Sequence, residues 1–439
     1  MVFPALPVTA ITGLSRISVF TGATALLFFF TGITPLPRSS SLDQLSYCMN
    51  DIDSLYRPLS MKTFRYYPNQ TDDFWNRVGG EVKRMKKKAT IAAVGDILMW
   101  KEQVATARLP GTDQFSFTDM FHPVTPILSA ADLTIGNLET TFSGKTQPYQ
   151  IGSARTGYPR FNCPDELARD LKTSGFDVLT TVNNHCLDGG VTGLCRTLDV
   201  LDRYKLAHTG TYRSPEEANT YLIKEVNGIR IALLAYTYGT NKQVIPAHTP
   251  WIVRLLHLDT ILSDLRKVRP LVDVVIISLH FGIEFRYTPT TRQRQLVQSL
   301  LDNGADVILG AHPHVLQPVV TPSIMTPHGT KRQTLVAYSL GNFISEKMLS
   351  FDQSQCGAIL RFTVEKDERN QISLEQISVI PTFSQRYVSQ GRICFRVIPM
   401  RSYLKSPDLY VRPLQRKKLQ LLWSRAIRII GRARGVLIE

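Results

Sequence analysis

The feature that most constrains the fold is an alternation of short apolar, β-branched runs with helical stretches between residues 89 and 382. The helical stretches include Asp165–Ser174 and Thr291–Asp302, each followed closely by a glycine. The predicted strands lie at Ala89–Val94, Leu133–Ile135, Asp177–Val182, Ile229–Ala235, Val272–Leu279, Asp306–Leu309 and Leu335–Tyr338. Alternating strands and helices predict an α/β domain with a largely parallel or mixed sheet.

Polar residues follow several of these strands directly, where open α/β sheets place their functional sites. They are Asp96, Asn137, Glu139, Asn184, His185, Asp188, His280, His312 and His314. Carboxylate, amide and imidazole groups together suit Mn, Fe or Zn better than the all-oxygen coordination of calcium. His312 and His314 lie two residues apart, so they share one face of a strand, whereas from a loop they can reach two different ions. We therefore predict a divalent-metal site.

The composition is that of an ordinary globular protein, with 43% hydrophobic and 20% charged residues among 439. It excludes a wholly disordered, collagen-like or polytopic membrane chain. The 51 Lys and Arg residues outnumber the 36 Asp and Glu residues, and the net charge of +15 favours an acidic partner: anionic lipid, a polyanionic substrate or nucleic acid. The six cysteines lack CxxC or zinc-finger spacing, so we expect thiols, with disulfides open if the chain is exported.

Residues 17–37 form an uncharged segment, bounded by Arg16 and Arg38, that is rich in Leu and Phe. A membrane-spanning helix needs about 20 mainly apolar residues. We therefore predict an uncleaved, single-pass signal-anchor within a leader of residues 1–37. The flanking charges are balanced and do not decide which side of the membrane the domain occupies. A cleaved signal peptide with secretion, a mitochondrial presequence and a disordered apolar leader are the alternatives.

Residues 38–88 are polar and irregular, which predicts a stalk between the leader and a domain at residues 89–382. Residues 383–439 are predicted to form a C-terminal extension with a basic amphipathic helix. Its apolar face consists of Leu419, Leu422, Trp423, Ala426 and Ile430. Its basic face consists of Lys418, Arg425, Arg428 and Arg432. Such a helix either lies on an anionic membrane surface or docks its apolar face on the main domain, and the sequence leaves both open.

The polar residues stand in an ordered series of motifs. The series is Asp96, Asn137-Leu138-Glu139, Asn184-His185, His280, His312-Pro313-His314 and Tyr338-Ser339-Leu340-Gly341-Asn342-Phe343. It resembles the CapA-type family of poly-γ-glutamate capsule-biosynthesis proteins, which belongs to the calcineurin-like metallophosphoesterase superfamily. The resemblance extends over about residues 89–382. It implies an α/β fold in which two mixed β-sheets pack as a sandwich flanked by helices, with a metal site at the carboxyl ends of strands.

The resemblance also implies how the ligands divide between two ions. Glu139 would bridge the two ions, and Asp96 and His314 would bind the first. The second ion would be bound by Asn184, His280 and His312. Two such cations polarise a phosphoryl group and lower the pKa of a bound water molecule.

His185 stands beside a ligand and is implied to be the general acid that protonates the leaving oxygen. We expect Asp188 to orient it. Two positions differ from the wider superfamily, which has His at the position of Leu98 and Asp at the position of Glu139; CapA-type proteins share both changes. Because Leu98 leaves the first ion short of a ligand, a single ion held by Glu139, Asn184, His280 and His312 is the alternative.

We predict a metal-dependent hydrolase that acts on a phosphoester or on an anionic polymer linked to a membrane carrier. The alternative is a non-catalytic accessory subunit of a membrane complex that synthesises or exports a polymer such as poly-γ-glutamate. Nucleic acid is the least favoured partner, because the basic residues cluster in a linker and a tail without interleaved stacking aromatics.

Overall fold

A computed structural model describes residues 86–152, 157–326, 329–406, 413–431, 433 and 435–439. The predicted signal-anchor at residues 17–37 lies outside the described residues, as does nearly all of the predicted stalk. None of the helices formed by the described residues is both long enough and apolar enough to cross a membrane. Of the six cysteines, Cys48 lies outside the described residues, and the five within them are free thiols: Cys163, Cys186, Cys195, Cys356 and Cys394.

The strands are numbered in chain order. They are β1 (Lys87–Ile97), β2 (Leu133–Leu138), β3 (Gln150–Ile151), β4 (Arg160–Phe161), β5 (Val178–Thr180), β6 (Ala207–Thr209), β7 (Leu222–Val226), β8 (Ile229–Thr237), β9 (Val274–His280), β10 (Val307–Ala311), β11 (Val319–Val320), β12 (Ser323–Met325), β13 (Lys331–Gln333), β14 (Leu335–Ala337), β15 (Asn342–Ile344), β16 (Cys356–Lys366), β17 (Ile372–Ser389), β18 (Arg392–Pro399) and β19 (Leu437–Ile438).

The helices are numbered in the same way. They are α1 (Lys101–Ala107), α2 (Thr118–Phe121), α3 (Thr125–Leu128), α4 (Glu166–Thr173), α5 (Gly190–Arg203), α6 (Pro215–Ala218), α7 (Leu258–Val268), α8 (Thr291–Asp302), α9 (Met400–Lys405) and α10 (Pro413–Ile430). Two short 3₁₀ turns occur at Arg269–Leu271 and Asp352–Gln355.

The strands form two large mixed sheets. Sheet I has the order β18-β17-β16-β1-β2-β5-β6, with β15 pairing with β1 and β19 with β17. In it β1, β2, β5 and β6 are parallel, whereas β16, β17 and β18 are antiparallel. Sheet II has the order β11-β14-β10-β9-β8-β7 and is parallel from β8 to β14, with an antiparallel strand at each edge.

The two sheets pack face to face, and helices cover their outer faces. The apolar core between them contains buried side chains from both sheets, such as Ile91 and Ile135 of sheet I and Ile231 and Ile276 of sheet II. Helices α1 to α5 pack on the outer face of sheet I, and α7 and α8 pack on that of sheet II. The predicted α/β sandwich of two mixed sheets flanked by helices is confirmed.

Local sequence signals explain individual elements. Asn227 and Gly228 both have positive φ, 51° and 74°, as the tight turn of the β7–β8 hairpin requires. Helix α8 begins with a capping box in which the Thr290 hydroxyl accepts from the Gln293 N–H at 3.1 Å and the Gln293 side chain accepts from the Thr290 N–H at 2.9 Å. The bounds predicted for this helix are those observed.

Each predicted strand is present, with shifted ends. β1 is longer than predicted, so that Asp96 lies within the strand and not after it. β5 is shorter, because the chain leaves the sheet after Thr180. Asn183, in the loop that follows, donates from its Nδ2 to the Leu138 carbonyl. The long antiparallel strands β16, β17 and β18 were not predicted individually, and they make up much of sheet I.

The domain boundary predicted at residue 382 is wrong, because it falls inside β17, which pairs with β16 and β18 on either side of that point.

Of the two alternatives for the C-terminal helix, α10 has the one in which its apolar face docks on the main domain. Its residues Leu419, Leu422, Ala426 and Ile430 are buried in the inter-sheet core, and Trp423 packs against them. This apolar face is therefore not available to a membrane surface.

The two sides of α10 provide a test of this docking. Leu422 is 3% exposed and the neighbouring Leu421 is 69% exposed. We expect Leu422→Ala to lower the free energy of unfolding by about 2–4 kcal/mol, because it leaves a cavity in the core. Leu421→Ala is the matched control and should stay within about 0.5 kcal/mol. Urea denaturation of both variants measures the difference, and equal stabilities would contradict the docked helix.

Candidate metal centre

The predicted ligands come from the carboxyl ends of strands in both sheets. Asp96 is in β1, Glu139 directly follows β2, and Asn184 follows β5 after a short loop. His280 is the last residue of β9, and His312 directly follows β10. Because β1, β2 and β5 are parallel neighbours in sheet I, and β9 and β10 in sheet II, the five side chains meet at one edge of the sandwich. All five are buried.

Two buried carboxylates form the centre of the site. Asp96 Oδ1 accepts a hydrogen bond from Asn137 Nδ2 at 2.8 Å, and its Oδ2 lies 3.2 Å from His314 Nδ1. Neither carboxylate oxygen of Glu139 has a hydrogen-bond partner among the described residues. The ring nitrogens near Glu139 Oε1 are His280 Nε2 at 3.4 Å and His314 Nε2 at 3.8 Å. A buried carboxylate without partners is unfavourable, and a cation bound among these atoms would satisfy it.

The donor atoms form two groups around Glu139. In the first, ligand atoms of Asp96, Glu139 and His314 all lie within 4.8 Å of one another. In the second, the Asn184 Oδ1 accepts from His280 Nε2 at 2.7 Å, close to the Glu139 carboxylate. The donor atoms of both groups lie next to the Glu139 carboxylate, and the division of ligands between two ions stays a prediction.

Hydrogen bonds from outside the centre fix the orientation of His314. Its Nδ1 donates to Asn342 Oδ1 at 3.0 Å. The Asn342 amide is itself fixed, because its Nδ2 donates to the Ser354 carbonyl at 2.7 Å. With Nδ1 engaged in this way, Nε2 points to Glu139, the side on which a cation would lie. Such supporting contacts set the ring orientation and tautomer of a metal-ligating histidine.

Backbone conformation places both histidines of the His312-Pro313-His314 segment. Their φ values are 97° and 57°, in a region that non-glycine residues rarely adopt. The segment is therefore a loop and not a continuation of β10, so of the two arrangements considered for this spacing the structure has the loop. Their ring centroids lie 6.0 Å apart.

A glycine next to Asp96 allows a close backbone approach. A Cβ atom at Gly95 would lie 1.9 Å from the Gly341 carbonyl oxygen, which no side chain tolerates. The approach lets the Asp96 N–H donate to the Gly341 carbonyl at 2.9 Å. Gly95 thereby joins the strand that carries Asp96 to the segment that carries Asn342.

Burial and neighbouring charges determine the protonation of the metal-free site. Burial lowers the pKa of His280 to about 3 and that of His312 well below its ordinary value, so both rings are neutral at pH 7, as metal ligands must be. Burial opposes protonation of His314 too, but the charges of Glu139 and Asp96 outweigh it and raise the pKa to about 10. Burial, together with the charge of Asp96, raises the pKa of Glu139 well above its ordinary value.

His185 and Asp188 form a buried pair beside this centre. His185 Nδ1 lies 2.7 Å from Asp188 Oδ2, the same oxygen that accepts from the Phe161 N–H at 2.7 Å. The Phe161 ring contacts the His185 ring edge-on, with centroids 4.8 Å apart. This places Asp188 where we expected an orienting residue. The other ring nitrogen of His185, Nε2, lies 3.4 Å from Asn241 Nδ2.

Three residues at the site had no role in the sequence analysis. Asn241 links Asn184 to His185, since its Oδ1 accepts from Asn184 Nδ2 at 3.2 Å. Glu284 has a carboxylate oxygen within 4.8 Å of ring nitrogens of His312 and His314. Asn342 stood in a quoted motif, but without a role. Asn241 and Glu284 each follow a strand by four residues, so the rule that polar residues follow strands could have found them.

Leu98 occupies the position at which the wider superfamily has a histidine. Leu98 is fully buried in the apolar core and supplies no donor to the site. Asp96, Glu139 and His314 are therefore the ligands that the predicted set provides there.

The chain matches the family model described as "Bacterial capsule synthesis protein PGA_cap" over residues 90–347. It is 28% identical to the capsule biosynthesis protein CapA of Bacillus anthracis over 269 residues, which are 60% of this chain and 61% of that protein. It is 27% identical to the PGA biosynthesis protein CapA of Bacillus subtilis over 288 residues, 65% of this chain and 70% of that protein. The chain thus spans less than two thirds of the B. anthracis relative.

Among solved structures, the NAD nucleotidase of Haemophilus influenzae matches with a TM-score of 0.42 and 12% identity, covering 81% of this chain and 64% of that chain. Other structural neighbours are described as 5′-nucleotidases and as a calcineurin-like phosphoesterase.

The unpartnered carboxylate of Glu139 generates a prediction about stability. In the presence of EDTA, and at a pH above the raised pKa of Glu139, Glu139→Gln should raise the free energy of unfolding by about 1–3 kcal/mol, because it removes a buried charge that lacks hydrogen bonds. Added Mn²⁺ should stabilise the natural chain and not this variant. Urea denaturation with and without Mn²⁺ measures both effects. Glu225→Gln, at an exposed site on β7, is the control; a Glu139→Gln protein that is less stable in EDTA would contradict the prediction.

Proposed function

From the premise that the chain belongs to the bacterial capsule synthesis protein family, we propose that it is a divalent-metal-dependent hydrolase of phosphoester bonds. The observation that carries the proposal is the convergence of carboxylate, amide and imidazole donors around the unpartnered carboxylate of Glu139. The buried His–Asp pair directly beside these donors adds a group that can transfer a proton.

Mixed oxygen and nitrogen donors favour Mn, Fe or Zn at this centre. Asp96, Glu139 and His314 would hold one ion. The second would be held by Glu139, Asn184, His280 and His312, and a centre with a single ion would use this second set. Bound cations polarise a phosphoryl group and lower the pKa of a coordinated water molecule.

His185 is the residue of this chain suited to proton transfer. Asp188 accepts the hydrogen bond of Nδ1 and so fixes the ring orientation and tautomer, which leaves Nε2 as the atom that exchanges a proton with the leaving oxygen. Phe161 holds the pair in place, through its backbone N–H on Asp188 and its ring against His185. Asn241 lies beside Nε2 and links it to the ligand Asn184.

The substrate and setting that we propose follow from charge and family. The net charge of +15 favours a polyanionic substrate. We propose a phosphoester of an anionic capsule polymer, or of its membrane-linked carrier, with the chain held at the membrane by residues 17–37 and working beside a polymer-synthase complex.

A non-catalytic accessory role is the second candidate, and one observation favours it. The relatives are named as biosynthesis proteins, and a biosynthetic complex can use a metal-bound subunit for assembly alone. The two roles differ in what a site variant does. An accessory subunit keeps its function when His185 is replaced.

The hydrolase proposal predicts a separation of turnover from metal content. His185→Gln should lower the turnover of bis-p-nitrophenyl phosphate by about 10²–10⁴-fold, as loss of a general acid does, and leave the bound metal unchanged. His312→Ala should lower both. The matched control is His208→Gln. His208 forms a similar pair, with its Nε2 3.0 Å from Asp202 Oδ1, but it is not one of the residues of the candidate site.

Turnover by spectrophotometry and metal content by elemental mass spectrometry are measured on the same samples. Unchanged turnover in His185→Gln would contradict the hydrolase proposal. If, in addition, cells that carry only this variant display normal surface polymer, the accessory role takes its place.

A further inference from the structure

Glu284 lies at the mouth of the metal centre and belongs to none of the ligand sets given above. It is half-buried, in the loop that follows β9. An oxygen of its carboxylate and ring nitrogens of His312 and His314 all lie within 4.8 Å of one another. Donor atoms that share an ion at about 2.1 Å are separated by about 3–4 Å, so a small rotation of the Glu284 side chain brings its carboxylate oxygen within reach of an ion that His314 binds.

The loop that carries Glu284 is fastened to the segment that carries the two histidines. The Phe281 N–H donates to the Ala311 carbonyl at 3.1 Å, and the Phe285 N–H donates to the Pro313 carbonyl at 2.8 Å. Glu284 therefore lies between two backbone hydrogen bonds to residues adjacent to His312 and His314. Its position relative to these rings is set by the backbone and requires no rearrangement of the loop.

The carboxylate of Glu284 is also available to a ligand. It makes no hydrogen bond or ion pair with any residue in the described part of the chain. Its negative charge acts on residues of the centre: it contributes to the upward shift of the pKa of Glu139 and opposes the downward shift of the pKa of His280. Glu284 therefore faces the ligands and not bulk solvent alone.

The first group of donors leaves room for a further ligand, from a residue or from water. Asp96, Glu139 and His314 supply three ligands, whereas the metals favoured here take at least four. We propose that Glu284 is a carboxylate ligand of the ion bound at His314. The inference rests on the proposed metal centre, and it makes that centre a two-ion site in which the loop after β9 supplies the ligand that position 98 does not.

The test is Mn²⁺ binding by the full chain, measured by isothermal titration calorimetry and by elemental mass spectrometry after dialysis. The natural chain should bind two Mn²⁺ ions. Glu284→Gln keeps the shape of the side chain and removes its charge. In this variant the site that contains His314 should lose Mn²⁺ affinity by about 10–100-fold or more, because loss of a residue that merely supports a metal ligand already costs that much. Glu284→Asp should also weaken it, since a shorter side chain on a fastened loop does not reach the ion.

The controls separate the failures. Glu225→Gln removes the same charge far from the site and should bind as the natural chain does. Circular dichroism and thermal unfolding in EDTA establish that each variant folds, and Glu284→Asp answers the question if Glu284→Gln does not fold.

Three outcomes would overturn the inference. Equal affinities and stoichiometry in the natural chain and Glu284→Gln would remove Glu284 from the centre and leave the hydrolase proposal intact. Natural affinity in Glu284→Asp, with loss in Glu284→Gln, would assign Glu284 an effect through its charge alone. A natural chain that binds no Mn²⁺ and no Zn²⁺ would overturn the proposed metal-dependent function itself.

Discussion

Asp96 and Glu139 bury two carboxylates at one point, and this concentration of negative charge is the constraint on which the site depends. Burial of like charges is strongly unfavourable unless cations or hydrogen bonds compensate it. Asn137 and His314 compensate Asp96, but the described residues leave both oxygens of Glu139 without a hydrogen bond. The neutral rings of His280 and His312 add donors without adding charge. The residues of the candidate site thus fit a divalent cation, which would compensate the buried carboxylates.

The sandwich is what brings these groups together. Sheet I supplies the carboxylates and Asn184, and sheet II supplies the histidines, so the packing of the inter-sheet core sets the distances between the ligands. The close backbone approach at Gly95 also positions these groups, because it fixes Asp96 against the segment that carries Asn342. A change in sheet packing far from the site would therefore alter the metal centre, because neither sheet carries a complete set of ligands.

The sequence was informative where function and secondary structure share a local signal. Residues such as Glu139, His280 and His312 follow apolar runs, and parallel strands bring such positions to one edge, so the candidate site could be predicted before its geometry was known. Asn342 could not be assigned a role, because its contact with His314 depends on tertiary packing. The pairing of β16 with β1 was not predicted, because the two strands lie far apart in sequence. For the same reason the sequence left both alternatives open for α10, whose apolar face packs against residues distant along the chain.

The position of β1 in sheet I determines when the site can form during synthesis. This strand, which carries Asp96, pairs with β2 on one side and with β16 on the other, and Ile91 faces Phe362. A ribosome makes β1 long before β16, so one edge of β1 stays unpaired until residues 356–366 have emerged. The candidate site is therefore assembled late, because the strand that carries Asp96 gains its second neighbour only after all six predicted ligands have been synthesised.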